Sequence, residues 1–257
     1  KVQLVNKTDS PIDSIHFNST DLTSFNVLLN GDTLSYRFPL EYKPRKFQIF
    51  GKKPEREWYK ITALPSTMMP GDTLEVVIIS EKTNAGFPNS GYGREIVYNG
   101  TFFSGGVPEI GYSEGSEMNS DEDRKKYGLP PKPEDLPEHR DPYGEKTLLF
   151  ADDADFIQFE TVVSTIPSQI AVAPGYLERE WEENERRYFH YIQDTPIQSF
   201  FTFISADYEV LKDEAFLPNG QKVNIEIFHH PTHTYNLDRF TKSVKASLSY
   251  YTKNFSP

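Results

Sequence analysis

The chain has no cysteine in its 257 residues. Disulfide scaffolds, cysteine-ligated zinc and thiol nucleophiles are thereby excluded, although the absence does not fix a compartment. Long apolar runs are missing too. The longest, Val76-Val77-Ile78-Ile79, is one strand and falls far short of the roughly 20 residues a spanning helix needs. Positive charge is in deficit: 27 Lys and Arg stand against 38 Asp and Glu, for a net charge of -11. Phosphate binding needs clustered cations that would overcome that field, so no nucleic-acid partner is expected. An acidic surface suits cationic ligands such as peptide amino groups, and it also serves plain solubility. No signal peptide opens the chain. Lys1 leads directly into the alternating segment Val2 to Val5, so the sequence reads as trimmed at this end. No G-x-S-x-G elbow is present. Ser90-Gly91-Tyr92-Gly93 and Ser104-Gly105-Gly106 lack the lysine and helix of a phosphate loop and read as turns.

What is present is a succession of strands rich in Phe and Tyr. Ile12 to Phe17 alternates, with Ile15 and Phe17 on one face. Phe25 to Leu29 ends at Asn30-Gly31-Asp32, a tight-hairpin signal. Leu34 to Phe38 and Trp58 to Ile61 follow, and Pro70-Gly71-Asp72 turns into Leu74 to Ser80. Gly, Pro, Ser and acidic residues dominate a long loop over 104–147, the first place to look for a contact surface. Inside it, Ser120 is placed to cap a short helix running to Tyr127, which Gly128 and Pro130-Pro131 would end. Strands resume at Phe156 to Ser164 and Ala171 to Ala173. The charge-rich Glu178 to Arg187, around Trp181 and Asn184, reads as the ends and turn of a hairpin that returns to Ile192. Gln198 to Ile204, Tyr208 to Leu211 and Val223 to Phe228 complete the strands. The period then changes: Leu237, Phe240, Val244, Leu248 and Tyr251 recur at helical spacing, with Asn236 as the expected N-cap. The expectation is a mainly antiparallel β domain with one C-terminal amphipathic helix, divided as 1–234 and 235–257.

Several residue clusters invite a chemical reading. His229-His230-Pro231-Thr232-His233 sets three imidazoles within five residues. Pro231 prevents a helical metal face, and neighbours on a strand point to opposite sides, so the segment reads as a strand end and no metal site is expected. Asp152-Asp153-Ala154-Asp155 lacks the glycine and terminal glutamate of a calcium loop and reads as a solvated turn. Asn6, Asn18, Asn99 and Asn254 each open a glycosylation-type triplet, a pattern that chance supplies in an Asn- and Thr-rich chain.

Taken together, several segments resemble one family. Tyr235-Asn236-Leu237-Asp238-Arg239-Phe240 and Ser247-Leu248-Ser249-Tyr250-Tyr251-Thr252-Lys253-Asn254-Phe255-Ser256-Pro257 resemble the start of the catalytic domain of aminopeptidase N-like zinc metallopeptidases, the gluzincins. The likeness is nearest to a bacterial subgroup whose peptidase region is fused to an ABC-transporter-type permease. Leu4 to Asp13, Tyr98-Asn99-Gly100-Thr101-Phe102-Phe103, Pro108-Glu109-Ile110-Gly111-Tyr112, Ile170 to Gly175 and Phe203 to Ala206 are similar to strands of its N-terminal β domain.

The resemblance implies a saddle-shaped β domain lying against a thermolysin-like catalytic domain. It also implies a parent that removes N-terminal residues from peptides with a zinc-bound water, and a location on the extracytoplasmic face of a bacterial inner membrane. None of the six histidines is followed by Glu, so H-E-x-x-H is absent, as is the G-x-M-E-N substrate loop. No cofactor is expected in this chain. Zinc, its ligands and the general base would belong to the parent's catalytic domain, this chain's expected partner along with peptide substrates. In this family a Gln or Glu of the β domain helps hold the substrate's α-amino group, and the nearest position here is Glu109. An exposed loop glutamate is the other reading of that residue. An independent β-sandwich binding or adhesion module for proteins or glycans, using aromatics such as Trp58 and Trp181, is the competing reading of the whole chain.

Overall fold

The computed structural model describes residues 1–18, 22–37, 59–83, 95–97, 100–103, 108–111, 120–132, 156–198 and 201–255. The chain forms two compact units, and both are built mainly of antiparallel strands.

The first unit comprises Lys1–Phe87, Ser104–Gln158 and Pro196–Phe200. Among its strands are β1 (Val2–Val5), β2 (Ile12–Asn18), β3 (Ser24–Leu29), β4 (Asp32–Thr33), β5 (Tyr36–Arg37), β6 (Tyr59–Met68) and β7 (Thr73–Glu81). With β10 (Glu109–Ile110) they form two four-stranded sheets, ordered β1-β7-β3-β4 and β10-β2-β6-β5. Alternation decides which side chains meet. Ile15 and Phe17 of β2 join Phe25, Val27 and Leu29 of β3 and Val76 of β7 in one buried cluster. Phe17 is fully buried and its ring tilts against Phe25 at 5.3 Å. The Asn30-Gly31 step has positive φ at both residues, 54° and 94°, as a type I′ hairpin turn requires. Strand β6 runs well past Ile61 to Met68, a longer strand than the sequence expects, with a register irregularity opposite Ile12 and Ser14. By contrast, the Leu34 to Phe38 strand shrinks to Tyr36–Arg37 within the described residues.

Among its described residues the expected long loop contains two short elements. Strand β10 pairs with β2 through Glu109↔Asn18 and Ile110↔Phe17. Helix α1 spans Asp121–Lys126, capped as expected: the Asp123 amide donates to Ser120 Oγ at 3.4 Å. Gly128, at φ +72°, closes it in the left-handed region.

The second unit comprises Pro88–Phe103, Phe159–Thr195 and Phe201–Pro257. Strands β8 (Ile96–Val97), β9 (Gly100–Phe103), β13 (Ile170–Val172) and β17 (Phe203–Ala206) form a sheet ordered β13-β17-β9-β8. A second sheet is ordered β12-β15-β14, from β12 (Glu160–Thr165), β14 (Tyr176–Glu183) and β15 (Arg186–Ile192). Phe189 and Tyr191 of β15 bury themselves with Ala171 and Ala173, and Val163, Ile170 and Phe203 pack around them. The expected hairpin around Asn184 is present, turning at Asn184 and Glu185 with φ of 49° and 60°. Strands β18 (Glu209–Phe216) and β19 (Lys222–His229) form a separate hairpin, and helix α2 (Leu237–Asn254) follows it.

One expected strand is two. Phe156 to Ser164 splits into β11 (Phe156–Ile157), which pairs with β16 (Ile197–Gln198), and β12, which pairs with β15. The break falls at Gln158 and Phe159, where the Phe159 ring tilts against Phe201 with centroids 4.7 Å apart and its carbonyl accepts from the Gln193 amide at 3.1 Å. Alternation continues across the break, so sequence pattern alone does not reveal it.

Candidate functional site

The histidine cluster lies at the end of β19. The His229 Nδ1–H donates to the His230 carbonyl at 3.1 Å. His230 Nδ1 accepts from the Thr232 amide at 3.3 Å and faces the Thr232 hydroxyl at 2.9 Å. The His233 amide donates back to the His230 carbonyl at 2.8 Å, closing a turn, and the His230 and His233 rings lie 5.1 Å apart. Two of the three imidazoles thus spend their Nδ1 atoms on the local backbone and the Thr232 side chain. Among the described residues no three His, Asp or Glu side chains gather into a set that could hold a metal.

The remaining sequence candidates are scattered. Glu109 lies in β10, paired in register with Asn18. Asp152 to Asp155 and Trp58 lie outside the described residues. Trp181 stacks on its cross-strand partner Tyr188 at 5.1 Å and 8°, and the Arg179 guanidinium sits 4.8 Å from its ring centroid. Its ring is engaged within the sheet in the manner of a cation–π ladder. Asn6 is 2% exposed, and its side chain donates to the carbonyls of Ser10 and Met68. That burial leaves it no room to carry a glycan in this fold.

The apolar surface that stands out is on α2. No residue of the helix is buried, and Phe240, Tyr250, Tyr251 and Phe255 are all more than half exposed. Phe240 and Val244 overhang a groove of about 480 Å³ with Ile204, Ile227 and Phe228 on the strand side; Tyr208 and Glu226 are its polar members. Burial pushes the Tyr208 phenol above its ordinary range. Asn236 occupies the N-cap position, but it is left-handed at φ +68° and makes no side-chain cap. A capping side chain needs an extended backbone, which is why the expected cap does not form. The helix is anchored instead by Lys245, whose Nζ lies 2.8 Å from Asp213 Oδ2. The sequence signal for this anchor is an aspartate at an apolar position of β18, between Leu211 and Ala215.

No protein-family model matches the chain, and no curated protein sequence matches it. Solved structures do. The M1 zinc metallopeptidase from Deinococcus radiodurans is similar over 99% of this chain and 48% of its own, with 14% identity and a TM-score of 0.55. A mutant of that metallopeptidase bound to a Tyr-Ser-Ala substrate aligns over the same shares at 14% identity and a TM-score of 0.52. Legionella pneumophila aminopeptidase A, in complex with aspartic acid, aligns over 96% of this chain and 23% of its own, with 12% identity and a TM-score of 0.57. The fold is thus one found in an M1 zinc metallopeptidase and in an aminopeptidase. The chain spans about half the length of the Deinococcus protein and about a quarter of the Legionella one.

Proposed function

We propose that the chain is the non-catalytic N-terminal β domain of a zinc-dependent aminopeptidase, which shapes substrate access and docks the catalytic domain. The observation that carries this reading is the fold likeness over 99% of the chain to a zinc metallopeptidase about twice as long. The missing H-E-x-x-H and the exposed apolar surface of α2 support it. On this reading 1–234 is the β domain and α2, within 235–257, is the first helix of the catalytic domain. Glu109 is the candidate partner of the substrate's α-amino group.

The finer likeness to permease-fused enzymes on the extracytoplasmic face of a bacterial inner membrane rests on the sequence segments alone. No helix among the described residues is long and apolar enough to cross a membrane.

The test uses the native protein extended past Pro257. It should cleave amino-acyl fluorogenic substrates, spare their N-acetylated forms, lose activity to a chelator and regain it with zinc. Glu109→Ala should raise KM for free amino termini with little change in kcat. Absence of chelator-sensitive cleavage in the extended protein would sink the reading and favour a binding module.

A further inference from the structure

Among the described residues a single ion pair joins α2 to the strands, that of Lys245 with Asp213. The place of Asp213 in the hairpin explains the pair. Leu211, Asp213 and Ala215 share one face of β18, and their register partners Ile227, Ile225 and Val223 complete it. Ala215 and Ile225 on that face are buried. A carboxylate set within an apolar stripe carries a desolvation cost that an opposed cation offsets. The hairpin's own cations do not serve: Lys212 pairs with Glu226 at 2.9 Å and Lys222 pairs with Glu214, all four on the opposite face. The hydrogen bond from Lys245, then the Glu214 amide, holds the Asp213 carboxyl below its ordinary range.

Three other polar side chains of α2 bond locally. Thr241 donates to the Leu237 carbonyl, Asn254 to the Tyr250 carbonyl, and Arg239 to Asn236 Oδ1. The connection from β19 passes through the His230–His233 turn and the left-handed Asn236, and no side-chain cap fixes the helix start. The apolar contact is partial: Leu237 and Leu248 are partly buried, but Phe240 is 55% exposed and Val244 37%. Among the described residues the ion pair is therefore the directional contact between helix and hairpin, beside apolar contacts that have no fixed direction.

We propose that Asp213 and Lys245 form a latch that sets the orientation of α2 on the β18–β19 hairpin. On the reading that α2 begins the peptidase domain, the same pair positions that domain against the β domain. Both are positioning residues and touch no reacting atom.

Hydrogen exchange of this chain, read by mass spectrometry, tests the latch. Asp213→Asn and Lys245→Met should each speed exchange across 241–254 by roughly 1.5- to 5-fold, the range expected of a half-exposed pair. Exchange in β15 should not move, which controls for general unfolding. The double variant should exchange no faster than either single one, and high salt should shrink the difference. Unchanged exchange in α2, or effects that add in the double variant, would overturn the latch. Native protein extended past Pro257 that lacks peptidase activity would remove the domain-positioning consequence along with the proposed function, while the exchange result stands separately.

Discussion

The Tyr191 hydroxyl donates to the Ala171 carbonyl at 2.8 Å and ties strand β15 of one sheet to strand β13 of another. Burial, and secondarily Glu226 and Glu180, push its phenol up to about 12. Because the folded-state value lies above the unfolded 10.0, the stabilisation is fully present below pH 10 and is lost as pH rises through about 12. Tyr191→Phe should cost about 1 kcal/mol near neutrality. It should also flatten the loss of stability on the alkaline side. Urea unfolding across pH 8 to 11 reads both effects, and an unchanged alkaline slope would contradict the assignment.

Two buried side chains of the first unit should respond in opposite directions. Phe17→Ala empties the centre of its cluster and should cost about 3–5 kcal/mol. Thr62 is fully buried, and its Oγ1 is the one such atom without a hydrogen-bond partner among the described residues. Thr62→Val keeps the shape and removes the orphaned hydroxyl, so it should stabilise by about 1 kcal/mol. Thermal unfolding distinguishes the two, and a destabilised Thr62→Val would point to a partner for that hydroxyl.

Two glycines that both have positive φ should differ because of what surrounds them. Gly175 has φ +112°, and a Cβ there would stand 2.7 Å from the Ile192 carbonyl oxygen. Gly220 has φ +85° with nothing within 4 Å. Gly175→Ala should cost about 2–3 kcal/mol and Gly220→Ala only about 1. Equal costs would mean that the contact with Ile192 is relieved by a backbone shift.

The pattern of what the sequence discloses follows from the range over which each signal acts. Alternation reveals β2, β3 and β7 because burial repeats every second residue, and helical spacing reveals α2 because its apolar residues recur every three or four. Turn chemistry marks Asn30-Gly31 and Pro70-Gly71 for the same local reason. Pairing does not show: β7 lies between β1 and β3, a choice made by surfaces remote in sequence. The break at Gln158 is invisible because both halves keep the same alternation, and β10 is two residues long, too short for any period. Of the site, the apolar stripe of α2 is legible. The anchor is not, because it joins residues 32 positions apart, 213 and 245, through one aspartate that breaks its strand's pattern.

Asn236 gives a test against ordinary capping rules. Since it sits left-handed without capping, Asn236→Gly should leave stability within a few tenths of a kcal/mol. Asn236→Ser, elsewhere a favourable N-cap, should cost about 1–2 kcal/mol, because serine tolerates that backbone poorly. Circular dichroism and melting temperature report the outcome. A stabilised serine variant would show that the helix start rearranges to an extended cap.

The most direct test of the central claim is hydrolysis of amino-acyl fluorogenic substrates by this chain alone, beside the native protein extended past Pro257, each with and without a chelator. Chelator-sensitive cleavage is expected in the extended protein and none in the chain alone. Chelator-sensitive cleavage by the chain alone would contradict it and return attention to His229, His230 and His233.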